Sequence, residues 1–213
     1  YADEISENSS SYLSDFCKNL NKDIYVFYSG KKIVSDTTKQ IETSTIRELG
    51  IKKIILWDNL FANDYCPKRI FLGTNENRYQ VSNVMFNLTG MIETDLFLID
   101  LITQFKSIRN NSAKYKEILT NNNIPYIFID IRFYFYIPYI NMDKLKNKNN
   151  NYTKEIEALD FLLWEWKSAL ALEWYPYLLG LKQDLQYMAG LLTSDRIRKQ
   201  QTLPLSHKLL EYD

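Results

Sequence analysis

The first 105 residues alternate between short apolar runs and segments in which apolar residues recur at helical spacing. Three runs, at 24–28, 54–57 and 83–86, are rich in aliphatic and aromatic residues, which is typical of strands. Helical spacing predicts helices around residues 13–20, 41–49 and 92–105. Strands that alternate with helices in this way predict an α/β fold with a parallel sheet.

The pattern changes near residue 110, after which helices dominate. A short helix is predicted at 114–119, and the segment 124–140, rich in Tyr, Phe and Ile, suits either a helix or a strand, with helix favoured. A Lys/Asn-rich loop at 144–151 precedes two amphipathic helices. The apolar stripe of the first runs from Leu159 to Leu170, and the second begins near Pro176. We therefore predict two domains, an α/β domain at 1–109 and an α-helical domain at 110–213.

An aromatic cluster lies within these last two helices. Such a cluster can form a platform for a sugar, but aromatic residues at helical spacing more often fill a core, and we favour the core. Its members are Trp164, Trp166, Trp174, Tyr175 and Tyr177.

The stretch from Lys52 to Gly73 carries the densest candidate chemistry. An apolar run, 54–56, passes directly into a loop of groups that can bind a small polar ligand: Trp57, Asp58, Asn59, Asn63, Asp64 and Tyr65. A buried strand that ends in such a loop is typical of parallel barrels, which hold their sites at the carboxyl ends of strands. The alternative is an ordinary polar loop, with Trp57 packed in the core.

Charge and cysteine content exclude several classes. The formal net charge is zero, which gives no electrostatic footprint for nucleic acid or for an anionic membrane. Cys17 and Cys66 suit free thiols in a reducing, cytoplasmic environment. No group of residues has metal-ligand spacing, and His207 is the only histidine, so neither a metal, a cofactor nor Ser-His catalysis is expected.

The loop also resembles that of a known family. WDNLFANDY at 57–65, followed by Arg69 and by Phe-Leu-Gly at 71–73, is similar to the signature of glycoside hydrolase family 84, the O-GlcNAcase-type β-N-acetylglucosaminidases. The variant with Cys66-Pro67 is more similar to the bacterial members. The resemblance implies that residues 1–109 form the second half of a (β/α)8 TIM-type barrel, followed by a helical domain.

The same resemblance implies a set of substrate-binding residues. In this family the substrate-binding residues contact the N-acetyl group, line the acetamide pocket and hydrogen-bond to the sugar hydroxyls. The resemblance implies that Asp64 binds the 4- and 6-hydroxyls. The matching positions are Tyr1, Ser29, Trp57, Asn59, Asp64 and Asn87.

The family's catalytic pair consists of two adjacent aspartates that would precede Tyr1, so no catalytic residue is expected in this chain. In that family the acetamide of the substrate is the nucleophile, and an oxazoline forms. The chain begins with Tyr rather than Met, so we expect it to begin inside a longer protein. Its expected partners are an N-terminal barrel half, from the same gene product or a partner chain, and a glycoconjugate containing N-acetylglucosamine. The alternative is an inactive relative that serves as a sugar-binding or structural subunit. Whether the protein forms a homo-oligomer is left open.

Overall fold

The computed structural model describes residues 9–30, 34, 43–63, 70–72, 83–108, 112–136 and 152–192. These residues form two compact units. One comprises residues 1–62 and 75–88, and the other comprises residues 63–74 and 89–213. The two units are not the two domains predicted from sequence, whose boundary between residues 109 and 110 stays a prediction.

The first unit is built on a parallel sheet. Its elements are α1 (Ser9–Asn19), β1 (Val26–Tyr28), α2 (Ser44–Glu48), β2 (Ile54–Asp58) and β3 (Val84–Phe86). The strands lie in the order β1-β2-β3, and both pairs are parallel, with Tyr28 opposite Leu56 and Asp58 opposite Phe86. The three strands predicted from the apolar runs are therefore confirmed, and so is the α/β class.

The two faces of this sheet differ in what covers them. One face packs against α1 and α2 in a core formed by Cys17, Ile46, Ile51 and Ile54. The residues between these positions on each strand lie on the opposite face, where Phe27, Trp57 and Met85 are 50%, 37% and 45% exposed. Parallel sheets normally have both faces covered, so this exposed apolar face is unusual.

The second unit is helical where the structure describes it. Its elements are α3 (Ile92–Ile108), α4 (Ser112–Asn121), a 3₁₀ helix (Tyr126–Asp130), α5 (Arg132–Tyr136), α6 (Thr153–Trp164) and α7 (Ala169–Met188). The helical prediction for 124–140 is confirmed as far as Tyr136. Residues 137–140 and the predicted loop at 144–151 lie outside the described residues.

The break between the last two helices differs from the prediction. The apolar stripe placed the first helix through Leu170, but α6 ends at Trp164 and α7 begins at Ala169. Ser168 is the reason, because its hydroxyl accepts a hydrogen bond from the backbone N–H of Ala171 at 2.9 Å and caps α7. Pro176 lies within α7 rather than near its start.

The aromatic cluster of these helices divides between core and surface. Trp166, Trp174 and Tyr177 are buried, as predicted, and the Trp166 and Trp174 rings meet edge to face with centroids 5.6 Å apart. Trp164 and Tyr175 are exposed, so the core prediction was wrong for these two. A helix of 20 residues in contact with its neighbours on one side leaves its other side to solvent, and Tyr175 lies on that side.

Candidate functional site

Polar residues follow each strand of the sheet at its carboxyl end. Ser29 follows β1, Asn59 follows β2 and Asn87 follows β3. Because the three strands are parallel, these residues lie along one edge of the sheet. Gly30, next to Ser29, has a φ of 100°, a conformation that suits glycine and lets the chain turn directly after β1.

Three of the predicted site residues form one hydrogen-bonded cluster. The indole Nε1 of Trp57 donates to Oδ1 of Asn59 at 2.6 Å, and Nδ2 of Asn87 donates to the same oxygen at 3.0 Å. An indole N–H can only donate, so the atom of Asn59 that it contacts must be the oxygen. Two donors on one carbonyl oxygen fix the Asn59 side chain, and its NH₂ group therefore has a defined direction.

Asp58 shapes the backbone that carries this cluster. Its side chain is fully buried, and Oδ1 accepts a hydrogen bond from the backbone N–H of Leu60 at 3.0 Å. Its backbone carbonyl accepts from the backbone N–H of Asn87 at 2.9 Å. Asp58 thus joins the ends of β2 and β3 and turns the chain at Asn59. Sequence reasoning did not give it this role, although a carboxylate two residues before its backbone donor is the known signal of an Asx turn.

Trp57 supplies an apolar surface beside the polar cluster. Its ring meets Phe27 on the neighbouring strand edge to face, with centroids 5.7 Å apart. The ring is 37% exposed, so it does not pack as an ordinary core residue, which was the alternative for this position. An exposed aromatic face next to a fixed amide suits a ligand that is apolar in one part and polar in another.

Two of the predicted site residues, Tyr1 and Asp64, lie outside the described residues. Ser29 is described and half-buried, and it follows the strand next to β2. The structure thus brings Trp57, Asn59 and Asn87 together, and the sugar-binding role of all six residues stays a prediction.

Within the described residues, no group of three or more His, Cys, Asp or Glu side chains is placed to hold a metal ion. None of the helices in the described ranges is both long enough and apolar enough to cross a membrane.

Comparison with known proteins agrees with the chemistry of this loop. A family model described as beta-N-acetylglucosaminidase (NAGidase) matches residues 1–119 of the 213. Protein O-GlcNAcase of Rattus norvegicus is 28% identical over 135 residues, or 60% of this chain and 14% of that protein. Protein O-GlcNAcase of Mus musculus is 28% identical over 133 residues, or 59% of this chain and 14% of that protein.

The chain thus spans only 14% of the length of these curated relatives. The family model, in contrast, covers more than half of the chain, and the resemblance seen in the signature loop is confirmed. The chain belongs to the beta-N-acetylglucosaminidase family, glycoside hydrolase family 84.

Proposed function

We propose that this chain is the C-terminal part of a retaining β-N-acetylglucosaminidase of the O-GlcNAcase type. In this proposal it supplies the second half of a (β/α)8 barrel and the helices that follow. The catalytic aspartate pair comes from an N-terminal half, in the same gene product or in a partner chain. The substrate is a glycoconjugate that carries N-acetylglucosamine.

The exposed apolar face of the sheet supports the proposal that a further half of the barrel covers it. Phe27, Trp57 and Met85 present apolar side chains on the face that α1 and α2 do not cover. In a closed parallel barrel the helices pack outside the sheet, and the opposite face lines the interior. Further strands that close a barrel would therefore cover these side chains and pair with the outer edges of β1 and β3.

The observation that carries the proposal is the convergence of Trp57 and Asn87 on Oδ1 of Asn59. An acetamide group has an apolar methyl, a planar amide and a carbonyl oxygen. The Trp57 ring can contact the methyl, and the fixed NH₂ group of Asn59 can donate to an oxygen of the sugar. The resemblance assigns Asp64, Ser29, Asn87 and Tyr1 to the remaining sugar contacts.

The reaction in this proposal uses the substrate's own acetamide oxygen as the nucleophile. That oxygen bonds to the anomeric carbon while the glycosidic bond breaks, and one aspartic acid of the upstream pair gives its proton to the leaving oxygen. The other aspartate takes the acetamide N–H proton as the oxazoline forms. Water then opens the oxazoline and gives one proton to the aspartate that acted as the acid, while the acetamide nitrogen regains its proton from the other aspartate, with net retention. Residues of this chain hold the acetamide and the hydroxyls in position and transfer no proton.

The test joins this chain to the segment encoded upstream and measures release of a chromogenic aglycone from a β-N-acetylglucosaminide. Turnover that is lost when either aspartate of the upstream pair is changed to Asn supports the proposal. A well-folded protein that binds N-acetylglucosamine but shows no turnover would instead support the inactive, sugar-binding relative. The matching β-glucoside, which has no acetamide, is the control substrate and should not be cleaved.

A further inference from the structure

Phe27 is an exposed aromatic side chain next to the polar cluster, and the proposed sugar contacts do not use it. It lies on β1, on the same face of the sheet as Trp57, and is 50% exposed. Its ring meets that of Trp57 edge to face, with centroids 5.7 Å apart. A large apolar side chain that is half exposed beside a candidate binding residue is available to contact a ligand.

The register of the sheet places Phe27 farther from the carboxyl edge than Trp57. Phe27 pairs with Ile55, which lies two residues before Trp57 on β2. Residues two apart on a strand point to the same face and are about 6–7 Å apart along it. Phe27 therefore lies behind the Trp57 ring, on the side away from the strand ends. A group that extends past Trp57 towards the middle of the sheet will meet Phe27.

The Trp57 ring is held at its polar edge by the cluster. Its Nε1 donates to Oδ1 of Asn59 at 2.6 Å, and Nδ2 of Asn87 donates to the same oxygen at 3.0 Å. Both asparagines follow the ends of their strands, so the polar part of the site lies at the carboxyl edge of the sheet. The apolar part runs from the Trp57 ring back to the Phe27 ring.

We propose that Phe27 is a specificity-determining residue, which closes the inner end of the acyl pocket and limits the length of the N-acyl group that the site accepts. This inference rests on the proposed function, because there the acetamide methyl contacts the Trp57 ring. A longer acyl group adds methylenes beyond that methyl, and they meet the Phe27 ring. Phe27 thus favours N-acetylglucosamine over analogues with longer acyl groups through excluded volume, without a hydrogen bond.

The test uses the protein joined to its upstream half and chromogenic β-glucosaminides that carry an N-acetyl, N-propanoyl or N-butanoyl group. Phe27→Ala opens space behind Trp57. We expect the ratio of kcat/KM for the butanoyl substrate to kcat/KM for the acetyl substrate to rise at least about 10-fold, the effect of one methylene in an apolar pocket. Phe27→Leu removes less volume and should give an intermediate ratio, and it keeps the test decisive if Phe27→Ala fails to fold. A partial loss of folded protein leaves the ratio unchanged, because the same molecules hydrolyse both substrates.

Tyr25→Ala is the matched control. Tyr25 is an exposed aromatic residue two positions before Phe27, with Nζ of Lys53 over its ring at 5.8 Å, and so lies still farther from the strand ends. Its ratio should stay within about twofold of the parent value. An unchanged ratio in both Phe27 variants, or an equal rise in the control, overturns the proposal.

Binding separates this inference from the proposed function. If the joined protein cleaves none of the substrates, calorimetry gives the affinities of free N-acetylglucosamine and N-butanoylglucosamine. The same change of ratio in Phe27→Ala then supports the acyl pocket, while the proposed hydrolysis fails. A joined protein that binds neither sugar overturns the inference together with the proposed sugar contacts.

Discussion

At residue 59, one carbonyl oxygen receives two hydrogen bonds, and this leaves the amide NH₂ as the group that distinguishes Asn from Asp at this position. Asn59→Asp keeps an oxygen for Trp57 and Asn87 but replaces the NH₂ donor by a second carboxylate oxygen. If the proposed function holds, kcat/KM of the protein joined to its upstream half should fall at least about tenfold, because the proposed donor to the sugar is lost and a negative charge is added. The melting temperature should stay nearly unchanged.

Asn83→Asp is the control for this change, since Asn83 is exposed and directly precedes β3. It adds the same charge near the same sheet without touching the cluster. Equal losses of activity in the two variants would mean that charge alone is responsible and would remove Asn59 from the binding site.

Asp64 is the residue for which the largest single effect is expected. The resemblance places its carboxylate on two hydroxyls of the sugar, and charge-assisted hydrogen bonds to a bound ligand are the strong ones. Asp64→Ala should lower kcat/KM several hundredfold, equivalent to about 3–4 kcal/mol. Asp130→Ala, at an exposed position of the 3₁₀ helix, is the control. A loss below tenfold would show that Asp64 does not contact the sugar.

At this scale the sequence identified residues better than it identified their roles. Trp57 and Asn59 were candidates from the loop itself, Asn87 was added by the family resemblance, and the structure joins the three. The role of Asp58 was not predicted, because its bonds depend on how β2 and β3 pair. The hydrogen bond from Asn63 to Tyr177 could not be predicted either, since only folding brings the two residues together.

Among the elements, helix α3 shows how a helix start is satisfied from two directions. Asp95 in its first turn accepts from the backbone N–H groups of Thr89 at 2.9 Å and Gly90 at 3.0 Å. Glu173, on α7, accepts from the N–H groups of Glu93 and Thr94. The acidic first turn was visible in the sequence, but a carboxylate from another helix 79 residues away was not.

The hydrogen bonds that the Glu173 carboxylate accepts predict a loss of stability when this side chain is removed. Glu173→Ala leaves the N–H and the hydroxyl of buried Thr94 without that acceptor, and hydrogen bonds to a charged group contribute about 1.5–3 kcal/mol. We expect the free energy of unfolding to fall by about 2–3 kcal/mol. Glu157→Ala, at an exposed position of α6, has the same change in helix propensity and should cost less than about 0.5 kcal/mol. Denaturant unfolding of both variants measures the difference, and equal costs would contradict the capping role.

The helix break at 165–168 shows where pattern alone fails. Leu159 to Leu170 keeps its apolar spacing across the break, so periodicity gives one helix. A single side chain, the Ser168 hydroxyl, decides otherwise by capping α7. Pro176 was predicted near the start of the second helix, but it lies inside α7, where it removes one backbone N–H donor from the helix.

For the whole molecule, the sequence predicted the α/β class and the family, while the exposed apolar face of the sheet required coordinates. Residues 54–57 of β2 are Ile, Ile, Leu and Trp, so the sequence shows no alternation of apolar and polar residues there. Such a run predicts a strand that is covered on both sides. The structure shows that Ile54 and Leu56 are buried and that Trp57 is partly exposed. The exposed apolar face, which supports the proposed function, is therefore a feature of the packing that the sequence pattern does not show.

The free energy of unfolding should fall at alkaline pH because tyrosines of the second unit ionise. Burial raises the pKa of Tyr134 above its usual value, and the negative charges of Glu155 and of ionised Tyr152 raise it further. Burial, followed by Glu155, also raises the pKa of Tyr152. A folded pKa above the unfolded value of about 10 means that the native state binds the proton more tightly.

Stability from these tyrosines is therefore fully present below about pH 10 and is lost as the pH rises through the folded pKa values. We expect the denaturant midpoint to stay constant from pH 8 to about pH 9.5 and to fall above pH 10. In Tyr134→Phe the fall should be shallower, because one proton fewer is linked to unfolding. Tyr126→Phe, which removes an exposed phenol, is the control and should keep the slope of the parent protein. An alkaline slope that is the same in all three proteins would show that Tyr134 is ionised as readily in the folded chain as in the unfolded one.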